Sequence, residues 1–299
     1  MNADQLALVT VTHNSERELE ALLSSVERFL PAAAVVVVDC GSSDRSVAVA
    51  RARAAVKVIE LGGNLGFGRG CNRGVAAVAT PVTVLVNPDV ELLDDSLLEL
   101  GAEAISAPER LLAPLVLSPD GSRQETVHPA PCSVADLIRA VVPPAAVPGV
   151  LGLPVAPWRS DAPRRVGWAV GCALAARTET LRRLGPFDEQ IFMYSEDLEL
   201  GLRARQAGVE TWFWPSARVL HHGGHATFAA FGGEPFERQA RARHDVVRRR
   251  LGRRAAAVDD AQQAVTFASR IAYKRVLGRP WARERRQLQA LRHGREGLR

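Results

Sequence analysis

Cysteine is scarce in this sequence, and no two cysteines stand close enough together to form a metal or redox pair. The four cysteines, Cys40, Cys71, Cys132 and Cys172, are widely separated, and no C-x-x-C motif occurs. That spacing excludes the zinc clamps and dithiol redox centres that use neighbouring cysteines. We therefore expect four reduced residues that pack in the core.

The sequence also lacks a hydrophobic run that would cross a membrane. The longest apolar stretch, residues 140–158, contains five prolines, which break a spanning helix. Residues 1–14 carry neither the basic segment nor the small-residue cleavage site of a secretory signal. We expect the protein to stay in the cytoplasm and to contact a membrane, if at all, only at its surface.

Negative charge is nearly missing from the carboxyl-terminal region. The chain has a net charge of +5, and 47% of its 299 residues are hydrophobic, which suits a globular protein with one large core or two modest ones. From Arg238 onward, however, eighteen basic residues stand against five acids. Clustered arginines favour an anionic lipid surface or nucleic acid as partner, and the alternative is a solvated helix face.

Hydrophobic patterns alternate between strand and helix in the first third of the chain. Apolar runs predict buried strands over residues 6–12, 34–40 and 82–89, and "VKVIEL" predicts another strand between the last two. Helical patterns lie between them, and the first has Ser15 as its expected cap with Glu18 completing a capping box. This order predicts an α/β fold with a mostly parallel sheet flanked by helices.

Polar residues cluster where these four strands end. Because the carboxyl ends of parallel strands meet at one edge of a sheet, we expect the side chains that follow different strands to share one ligand crevice. The residues concerned are Thr12, His13, Asn14, Asp39, Ser42, Asp44, Asn64, Gly66, Asn87 and Asp89.

A glycine-rich segment, residues 62–74, follows the third strand. It does not match the dinucleotide-binding fingerprint, because G-x-G-x-x-G belongs in the first strand-to-helix turn and the spacing here differs. We interpret Gly66, Gly68 and Gly70 as positions where the backbone approaches a ligand, with Asn72 on the following helix. A plain tight turn is the alternative.

Asp89 is the candidate metal ligand. It ends a buried strand in "LVNPDV" and presents hard carboxylate oxygens, which suit a divalent cation that also binds substrate phosphates. A turn without any ligand is the alternative. Later in the chain His221, His222 and His225 occur together, where imidazoles would complete a Mg²⁺ or Mn²⁺ shell, bind phosphate, or only hydrogen-bond within a loop.

Two adjacent carboxylates, Glu196 and Asp197, stand at the start of a predicted amphipathic helix whose buried stripe is Leu198, Leu202 and Ala204. The positive end of the helix dipole stabilises negative charge in the first turn. An ionised and rigidly held Asp197 would then act as a base. The alternative is an ordinary helix start that carries acids.

Six segments in this order resemble family 2 glycosyltransferases of the GT-A fold, and most of all the bacterial rhamnosyltransferase branch. They span roughly residues 6–228 and read "VTVTHNS", "VVVVDCGSSDRS", "NLGFGRGCNRG", "LVNPDV", "VGWAVGCALAARTETLRRLGPFDEQIFMYSEDLELGLRARQAG" and "VLHHGGHAT". The resemblance implies that His13, Asn14, Asp39 and Asp44 lie in the segments that hold the nucleotide. Asp39 is then suited to the N3–H of a pyrimidine.

The resemblance also implies roles for the acids. Asp89 matches the position that binds Mg²⁺ or Mn²⁺ on the diphosphate, Asp197 matches the general base, and Glu196 matches the neighbour that orients the acceptor or the base. His221 is the second expected metal ligand. The other expected substrate-binding residues are Thr12, Ser42, Asn64, Gly66, Asn72, Asn87, Trp168 and Gly171.

The implied reaction is a single inverting displacement. Asp197 takes the proton of an acceptor hydroxyl while its oxygen attacks the anomeric carbon of a nucleotide sugar, with dTDP-rhamnose as the first candidate donor. The acceptor would be a glycan or a polyprenyl-diphosphate-linked sugar in cell-envelope polysaccharide synthesis. Two residues depart from the family pattern: Asn87 replaces the first acid of the metal motif, and Glu199 replaces the commoner Asp after the base.

We expect a catalytic domain over residues 1–232 and a basic helical tail over 233–299. Within the catalytic domain, residues 1–125 would bind the nucleotide, the proline-rich insertion 130–165 would cover the acceptor side, and 166–232 would form the catalytic half. The tail is expected to bind the anionic inner face of the plasma membrane, and no nucleic acid is expected as a partner.

Two other classes of protein stay open. A nucleotidyltransferase of GT-A-like fold would be expected to carry a basic glycine-rich loop near the first strand, where "VTHNSERE" stands instead. A non-catalytic module that binds nucleotide sugars would keep the crevice but would not need Asp197.

Overall fold

The computed structural model describes residues 1–146, 152, 154–223 and 234–296, and it confirms the predicted α/β fold. Its strands β1 to β11 are Leu6–Thr12, Ala34–Asp39, Val56–Glu60, Val82–Val86, Val90–Leu92, Arg110–Leu117, Val127–His128, Arg164–Val166, Trp168–Ala169, Ala173–Arg177 and Glu210–His221. Its helices α1 to α10 are Glu16–Phe29, Ser46–Arg51, Phe67–Ala76, Leu97–Ser106, Val134–Val141, Thr178–Leu184, Glu196–Gln206, Phe236–Leu251, Arg253–Val276 and Ala282–Glu296.

One large sheet runs through the fold. Its described strands lie in the order β3-β2-β1-β4-β10-β6-β11-β5, with β8 also paired to β11. Strands β3, β2, β1 and β4 are parallel, as the alternating pattern predicts. Strand β10 enters antiparallel between β4 and β6, and β5 and β8 pair antiparallel with β11, so the sheet is mixed beyond its parallel half.

Side chains of β1 alternate between two hydrophobic cores, one on each face of the sheet. Leu6 and Leu8 pack in the core that includes α1 and α4, whereas Ala7 and Val9 pack in the core that includes α3 and α6. This alternation follows from the two-residue period of a strand. The strand ends that carry the predicted site residues are therefore held between two packed layers.

Three of the four cysteines lie in the core as predicted, and the prediction is wrong for Cys132. All four are free thiols, and Cys40, Cys71 and Cys172 are buried in the two cores. Cys132 is half-buried, and its Sγ lies 3.4 Å from the carbonyl oxygen of Ala255. Packing, and not cross-linking between these residues, therefore holds the cores together.

The start of α1 differs from the predicted capping box. Ser15 precedes the helix, but its Oγ donates to the carbonyl of His13 at 3.3 Å and caps nothing. Asp44 supplies the cap instead, because its Oδ2 accepts from the backbone N–H of Glu16 at 3.0 Å. Glu18 lines a cleft at the carboxyl edge of the sheet instead of completing a capping box.

Gly70 allows α3 to pack closely on β1. A Cβ at this position would lie 2.7 Å from Cγ1 of Val11, which is closer than carbon atoms can approach. Gly68 has the same function against Phe187, where a Cβ would lie 2.9 Å from the phenylalanine Cβ. The expectation that these two glycines face a ligand is therefore wrong, since both face protein atoms.

We expect Gly70→Ala to lower the free energy of unfolding by about 1–3 kcal/mol, because overpacking a rigid contact costs that much and outweighs the better helix propensity of alanine. Gly63→Ala is the matched control, since a Cβ there meets no atom within 4 Å. Urea denaturation of both variants measures the difference. Equal midpoints for the two variants would show that the α3–β1 contact is not tight.

The basic tail is helical, as predicted, and it packs on the rest of the chain. Helix α8 lies against α7, where Arg250 forms an ion pair with the fully buried Glu199. Arg249 Nη1 lies 2.9 Å from Asp188 Oδ2, in the segment that precedes α7. Within the described ranges, none of the helices has both the length and the apolar character needed to cross a bilayer.

The proline-rich insertion is described only in part. It contains α5 and two short 3-10 turns, Pro144–Ala146 and Pro157–Arg159, while residues 147–151 and 153 lie outside the described part. Helix α5 packs against α9 of the tail. The insertion and the tail therefore contact each other directly.

Candidate active site

A cleft with a volume of about 610 Å³ opens where β1 and β4 end, between the glycine-rich turn before α3 and the start of α7. Its wall combines segments that are far apart in the sequence, as expected for a crevice at the carboxyl edge of a parallel sheet. The predicted site residues that line it together are Thr12, His13, Asn64, Gly66, Asn87, Asp89, Gly171, Glu196, Asp197 and His221.

Four of the predicted residues at and after the ends of β1 and β2 do not line this cleft and instead fasten the two loops to each other: Asn14, Asp39, Ser42 and Asp44. Asn14 donates its backbone N–H to Ser42 Oγ at 2.9 Å, and its side-chain oxygen accepts from Ser43 N–H at 2.7 Å. Asp39 accepts from the N–H groups of Gly41 and Ser42 at 2.9 and 3.0 Å. Their predicted contacts with a nucleotide stay predictions.

Asp44 belongs to the same loop system. Its carboxylate accepts from the N–H of Ser46 at 3.0 Å and from Ser46 Oγ at 2.6 Å, besides its bond to Glu16. Burial raises the pKa of Asp44, but these hydrogen bonds outweigh it and hold that pKa below its usual value. Asp44 thus stays ionised and holds the starts of α1 and α2 together.

Asn72 and Trp168 are the other two predicted site residues that lie outside the cleft. The side chain of Asn72 donates to the carbonyl of Phe187 and accepts from its N–H, both at 2.9 Å. Trp168 stacks on His128 with ring centroids 4.3 Å apart and packs beneath Gly201 of α7. Both side chains therefore support the cleft wall from behind.

Asp197 is held by backbone donors at the start of α7. Its Oδ1 accepts from the N–H of Leu198 at 2.7 Å, and its Oδ2 accepts from the N–H of Gly171 at 3.2 Å. Burial raises the pKa of Asp197, and these two backbone hydrogen bonds oppose that rise because they favour the charged form.

Glu196, its neighbour, also has backbone hydrogen bonds, from its own N–H and that of Tyr194, but they do not offset the effect of burial on its pKa. Its Oε2 is buried, and within the described part of the chain it has no hydrogen-bond partner. Burial and then the charge of Asp197 raise the pKa of Glu196 to about 8. The two acids share one site, and the backbone donors favour the proton on Glu196 and the charge on Asp197.

The raised pKa of Glu196 predicts that stability depends on pH. Between the ordinary carboxyl pKa and about 8, the folded protein binds more protons than the unfolded chain, so the free energy of unfolding falls as pH rises. The Glu196→Gln variant should not show this fall in the free energy of unfolding, because glutamine does not titrate. We expect the variant to be more stable than the wild type by at least about 1 kcal/mol near pH 8 and by less near pH 5.

Urea denaturation at the two pH values measures this effect. Glu179→Gln is the control, because the Glu179 side chain is 79% exposed and pairs with Arg177 at the surface. A difference between Glu196→Gln and wild type that did not change with pH would contradict a protonated Glu196 in the folded protein.

The segment before α7 has an unusual backbone. Tyr194 and Ser195 both have positive φ angles, 74° and 62°, a region that costs energy for residues other than glycine. Gly66, with a φ of 89°, leaves no room for a Cβ beside the carbonyl of Phe192. The glycine-rich turn and the segment before α7 therefore hold each other in place across the cleft.

Asp89 and His221 form the opposite part of the wall. Asp89 Oδ1 lies 3.2 Å from His221 Nε2, and the other ring nitrogen, Nδ1, lies 2.8 Å from Gln124 Oε1. Burial raises the pKa of Asp89, but the hydrogen bond and charge of His221 outweigh it, so the pKa lies below its usual value. Asp89 is therefore ionised at neutral pH.

The two ends of the cleft meet at residues 170–172. The N–H of Gly171 donates to Asp197, and the carbonyl of Cys172 accepts from the N–H of Asn87 at 2.9 Å, two residues before Asp89. Burial, followed by the charges of Asp89 and Asp197, raises the pKa of the Cys172 thiol to about 12. Asp89 and Asp197 therefore line one cleft together with residues 170–172.

The donor atoms fit a metal that is shared with substrate. Asp89 and His221 offer one carboxylate and one imidazole, and across the described ranges no group of three or more His, Cys, Asp or Glu side chains could hold an ion. Mg²⁺ commonly uses one or two carboxylates and completes its shell with water and substrate phosphates. His222 pairs with Glu91 at 2.6 Å, and His225 lies outside the described residues.

Sequence reasoning missed several residues of the cleft wall. Most of them are close in sequence to a predicted site residue, and this closeness could have indicated that they line the cleft. They are Val11, Ser15, Cys40, Phe67, Pro88, Val170, Cys172, Phe192, Met193, Tyr194 and Ser195. Glu18 also lines the cleft, although its sequence position predicts a capping box. Gln124, which contacts His221, gives no signal in the sequence because this contact forms only in the folded chain.

Comparison with known proteins adds the family. The model of glycosyl transferase family 2 matches residues 7–133. An N-acetylglucosaminyl-diphospho-decaprenol L-rhamnosyltransferase of Mycobacterium tuberculosis is 33% identical over 248 residues, which cover 75% of this chain and 78% of that protein.

Solved structures share the fold. A mannosyltransferase from Pyrobaculum calidifontis in complex with GDP-Man and Mn²⁺ superposes with a TM-score of 0.61 at 13% identity, covering 97% of this chain and 85% of the other. GalNAc-T7 with UDP, GalNAc and Mn²⁺ gives a TM-score of 0.57 at 16% identity and covers 79% of this chain. This chain spans about half of that protein, 47% of its length. The match to the family model and the sequence identity to the mycobacterial protein show that this chain belongs to glycosyltransferase family 2.

Proposed function

We propose that this protein transfers L-rhamnose, with inversion, from dTDP-rhamnose to a sugar carried on a polyprenyl diphosphate, in the synthesis of a cell-envelope polysaccharide. The observation that carries the proposal is the shared cleft, which is lined by both the ionised Asp89 and the backbone-held Asp197. The choice of rhamnose and of a lipid-linked acceptor is supported by the mycobacterial relative.

In this proposal each acid has one task. Asp197 accepts the proton of the acceptor hydroxyl as that oxygen bonds to the anomeric carbon, and the bond from that carbon to the diphosphate oxygen breaks. The leaving group departs with both electrons as a nucleoside diphosphate. Glu196, protonated beside Asp197, can donate a hydrogen bond to the acceptor and limits the negative charge in the site.

Asp89 and His221 are the residues that would hold a Mg²⁺ or Mn²⁺ ion. When bound, such an ion neutralises negative charge on the departing diphosphate. Gln124 Oε1 accepts a hydrogen bond from Nδ1–H of His221, while Gln124 Nε2 donates to the carbonyl of His221, and the two contacts fix the orientation of the imidazole. Structural neighbours that contain Mn²⁺ support this part of the proposal.

The test is a panel of nucleotide sugars offered to the purified protein with an N-acetylglucosaminyl diphosphate lipid as acceptor and Mg²⁺ or Mn²⁺ present. Release of nucleoside diphosphate and the mass of the lipid product are both measured. We expect turnover with dTDP-rhamnose that requires the acceptor. Release of pyrophosphate in place of a nucleoside diphosphate would instead indicate a nucleotidyltransferase.

The proposed class of acceptor also implies a location for the protein in the cell. A polyprenyl diphosphate is anchored in a bilayer, so we propose that the protein acts in the cytoplasm, bound peripherally to the inner face of the plasma membrane through its basic carboxyl-terminal region.

A further inference from the structure

Helix α5 exposes an apolar face to solvent. Val134, Leu137, Ile138 and Val141 are all exposed, and their spacing places them on one side of the helix. The fraction exposed reaches 72% for Val134 and 64% for Val141. The opposite side of the helix is buried through Asp136 and Ala140, so the exposed side is the outer face of a packed helix.

Helix α9 lies beside α5 and continues this surface. Cys132 Sγ contacts the carbonyl of Ala255 at 3.4 Å, and Ser269 Oγ donates to the carbonyl of Ala140 at 2.8 Å, so the two helices run side by side. Val258, Val265 and Val276 of α9 are exposed, the last to 85%.

The spacing along α9 aligns these valines. Val265 and Val276 follow Val258 by 7 and 18 residues, close to two and five whole helical turns, so the three form one stripe. At 100° per residue, Ala255 and Ser269 lie within about 60° of that stripe. The stripe therefore borders α5, and together the two rows form one apolar surface.

The charges around this surface are almost all positive. Every acid described between residues 253 and 291 is already paired inside the protein: Asp259 with Arg243 at 2.8 Å, Asp260 with His244 at 3.0 Å, and Glu284 with Lys274 at 2.7 Å. On the described part of α9 and α10, therefore, no unpaired acid offsets the positive charge of the exposed arginines.

A basic depression lies at the end of the stripe. It has a volume of about 730 Å³ and is lined by Arg279, Trp281, Arg285 and Arg286, just beyond Val276. The guanidinium of Arg275 stacks over the ring of Trp281 at 4.5 Å. An amphipathic aromatic ring among arginines suits the polar headgroup layer of a membrane.

We propose that the apolar surface of α5 and α9, together with the arginines around Trp281, forms a docking face that inserts into an anionic phospholipid bilayer. The proposal rests on the proposed function, since it names the surface that would bring the cleft to a lipid-linked acceptor. Apolar side chains would enter the boundary of the acyl chains, while arginines contact lipid phosphates. A second copy of the chain is a poorer occupant, because its docking face would oppose like charge with like charge.

The test uses the full chain and sedimentation with vesicles made of equal parts phosphatidylglycerol and phosphatidylcholine, without acceptor. We expect binding to these vesicles, little binding to pure phosphatidylcholine, and weaker binding at high salt. The double variant Val134→Asn and Val141→Asn should weaken binding about tenfold or more, since it removes two apolar side chains from the inserted surface. Ile105→Asn on α4 is the matched control, an exposed apolar residue away from this face.

A second pair of variants tests the charges. Arg279→Gln with Arg285→Gln should weaken binding by about tenfold, whereas Arg51→Gln with Lys57→Gln, which removes two exposed cations near the β3 edge, should not. Light scattering on the wild type and on a further variant, Val265→Asn, detects a dimer. A dimer dissociated by Val265→Asn, or vesicle binding that is indifferent to both pairs, would overturn the proposal. Sugar transfer is assayed separately on a short water-soluble acceptor, so loss of docking and loss of the proposed activity give different results.

Discussion

Asp197→Asn is expected to lower kcat by about 10²- to 10⁴-fold, the range that a general base contributes. The amide keeps an oxygen that accepts from Leu198 or Gly171, so the start of α7 should retain its structure. It cannot accept the proton of the acceptor hydroxyl. Binding of the nucleoside diphosphate, measured by calorimetry, should change by less than about threefold, because the lost interaction forms in the transition state.

Asp161→Asn is the matched control for this prediction. The Asp161 side chain is 86% exposed and pairs with Arg123 at the surface, so the same chemical change there should leave kcat unaltered. If Asp197→Asn turned over donor at the wild-type rate, the general base would be another residue. If the wild type and Asp197→Asn both bound nucleoside diphosphate and neither of them transferred sugar, the chain would be a binding module.

Asp89→Asn is expected to lower kcat/KM for the donor by about 10²-fold or more. The substitution keeps the shape of the side chain but removes the charge, and neutralising a departing diphosphate is worth several kcal/mol. The affinity for Mn²⁺ measured in the presence of nucleoside diphosphate should fall as well. His221→Asn should give a smaller loss, because it removes a neutral ligand and leaves the carboxylate in place.

Glu91→Gln is the control for Asp89. Glu91 is also on the carboxyl side of β4 and also contacts a histidine, His222, but it does not line the cleft. We expect near wild-type donor kinetics for this variant. An Asp89→Asn protein that kept both its turnover and its Mn²⁺ affinity would show that the metal, if used, is held elsewhere.

The parallel half of the fold could be predicted from the sequence because its signals are local. Strand β1 begins and ends where the apolar run does, and β2 ends one residue earlier than predicted. Sheet order beyond β4 could not be predicted, since β10 comes from residues 173–177 and inserts antiparallel between β4 and β6. Pairing over such a distance depends on packing of the whole chain, which no local pattern encodes.

The site residues also divide into those that local sequence signals predict and those whose role depends on the fold. The adjacent acids Glu196 and Asp197 leave an ordinary helix start open, and Asp89 leaves a plain turn open, until the family resemblance favours a shared site. All three line the cleft. Asp44 looked identical as a sequence signal, yet its carboxylate caps two helices. An acid after a strand serves a ligand or the backbone, and only the positions of nearby N–H groups decide between them.

Glu199 illustrates a further gap. Because Glu199 departs from the family pattern, the sequence assigns it no role. In the fold, Glu199 is fully buried and forms ion pairs with Arg203 and Arg250. Arg203 also donates to the carbonyls of Gly185 and Pro186. Glu199 therefore links α7 to the tail, a contact between distant segments that the sequence pattern did not reveal.

The most direct measurement is an experimental structure of the protein with Mn²⁺ and a donor analogue whose sugar cannot be transferred. The account predicts the ion in contact with Asp89 and the diphosphate, and the open face of the anomeric carbon turned toward Asp197. A diphosphate bound away from Asp89, or an anomeric carbon shielded from Asp197 by the rest of the donor, would contradict it.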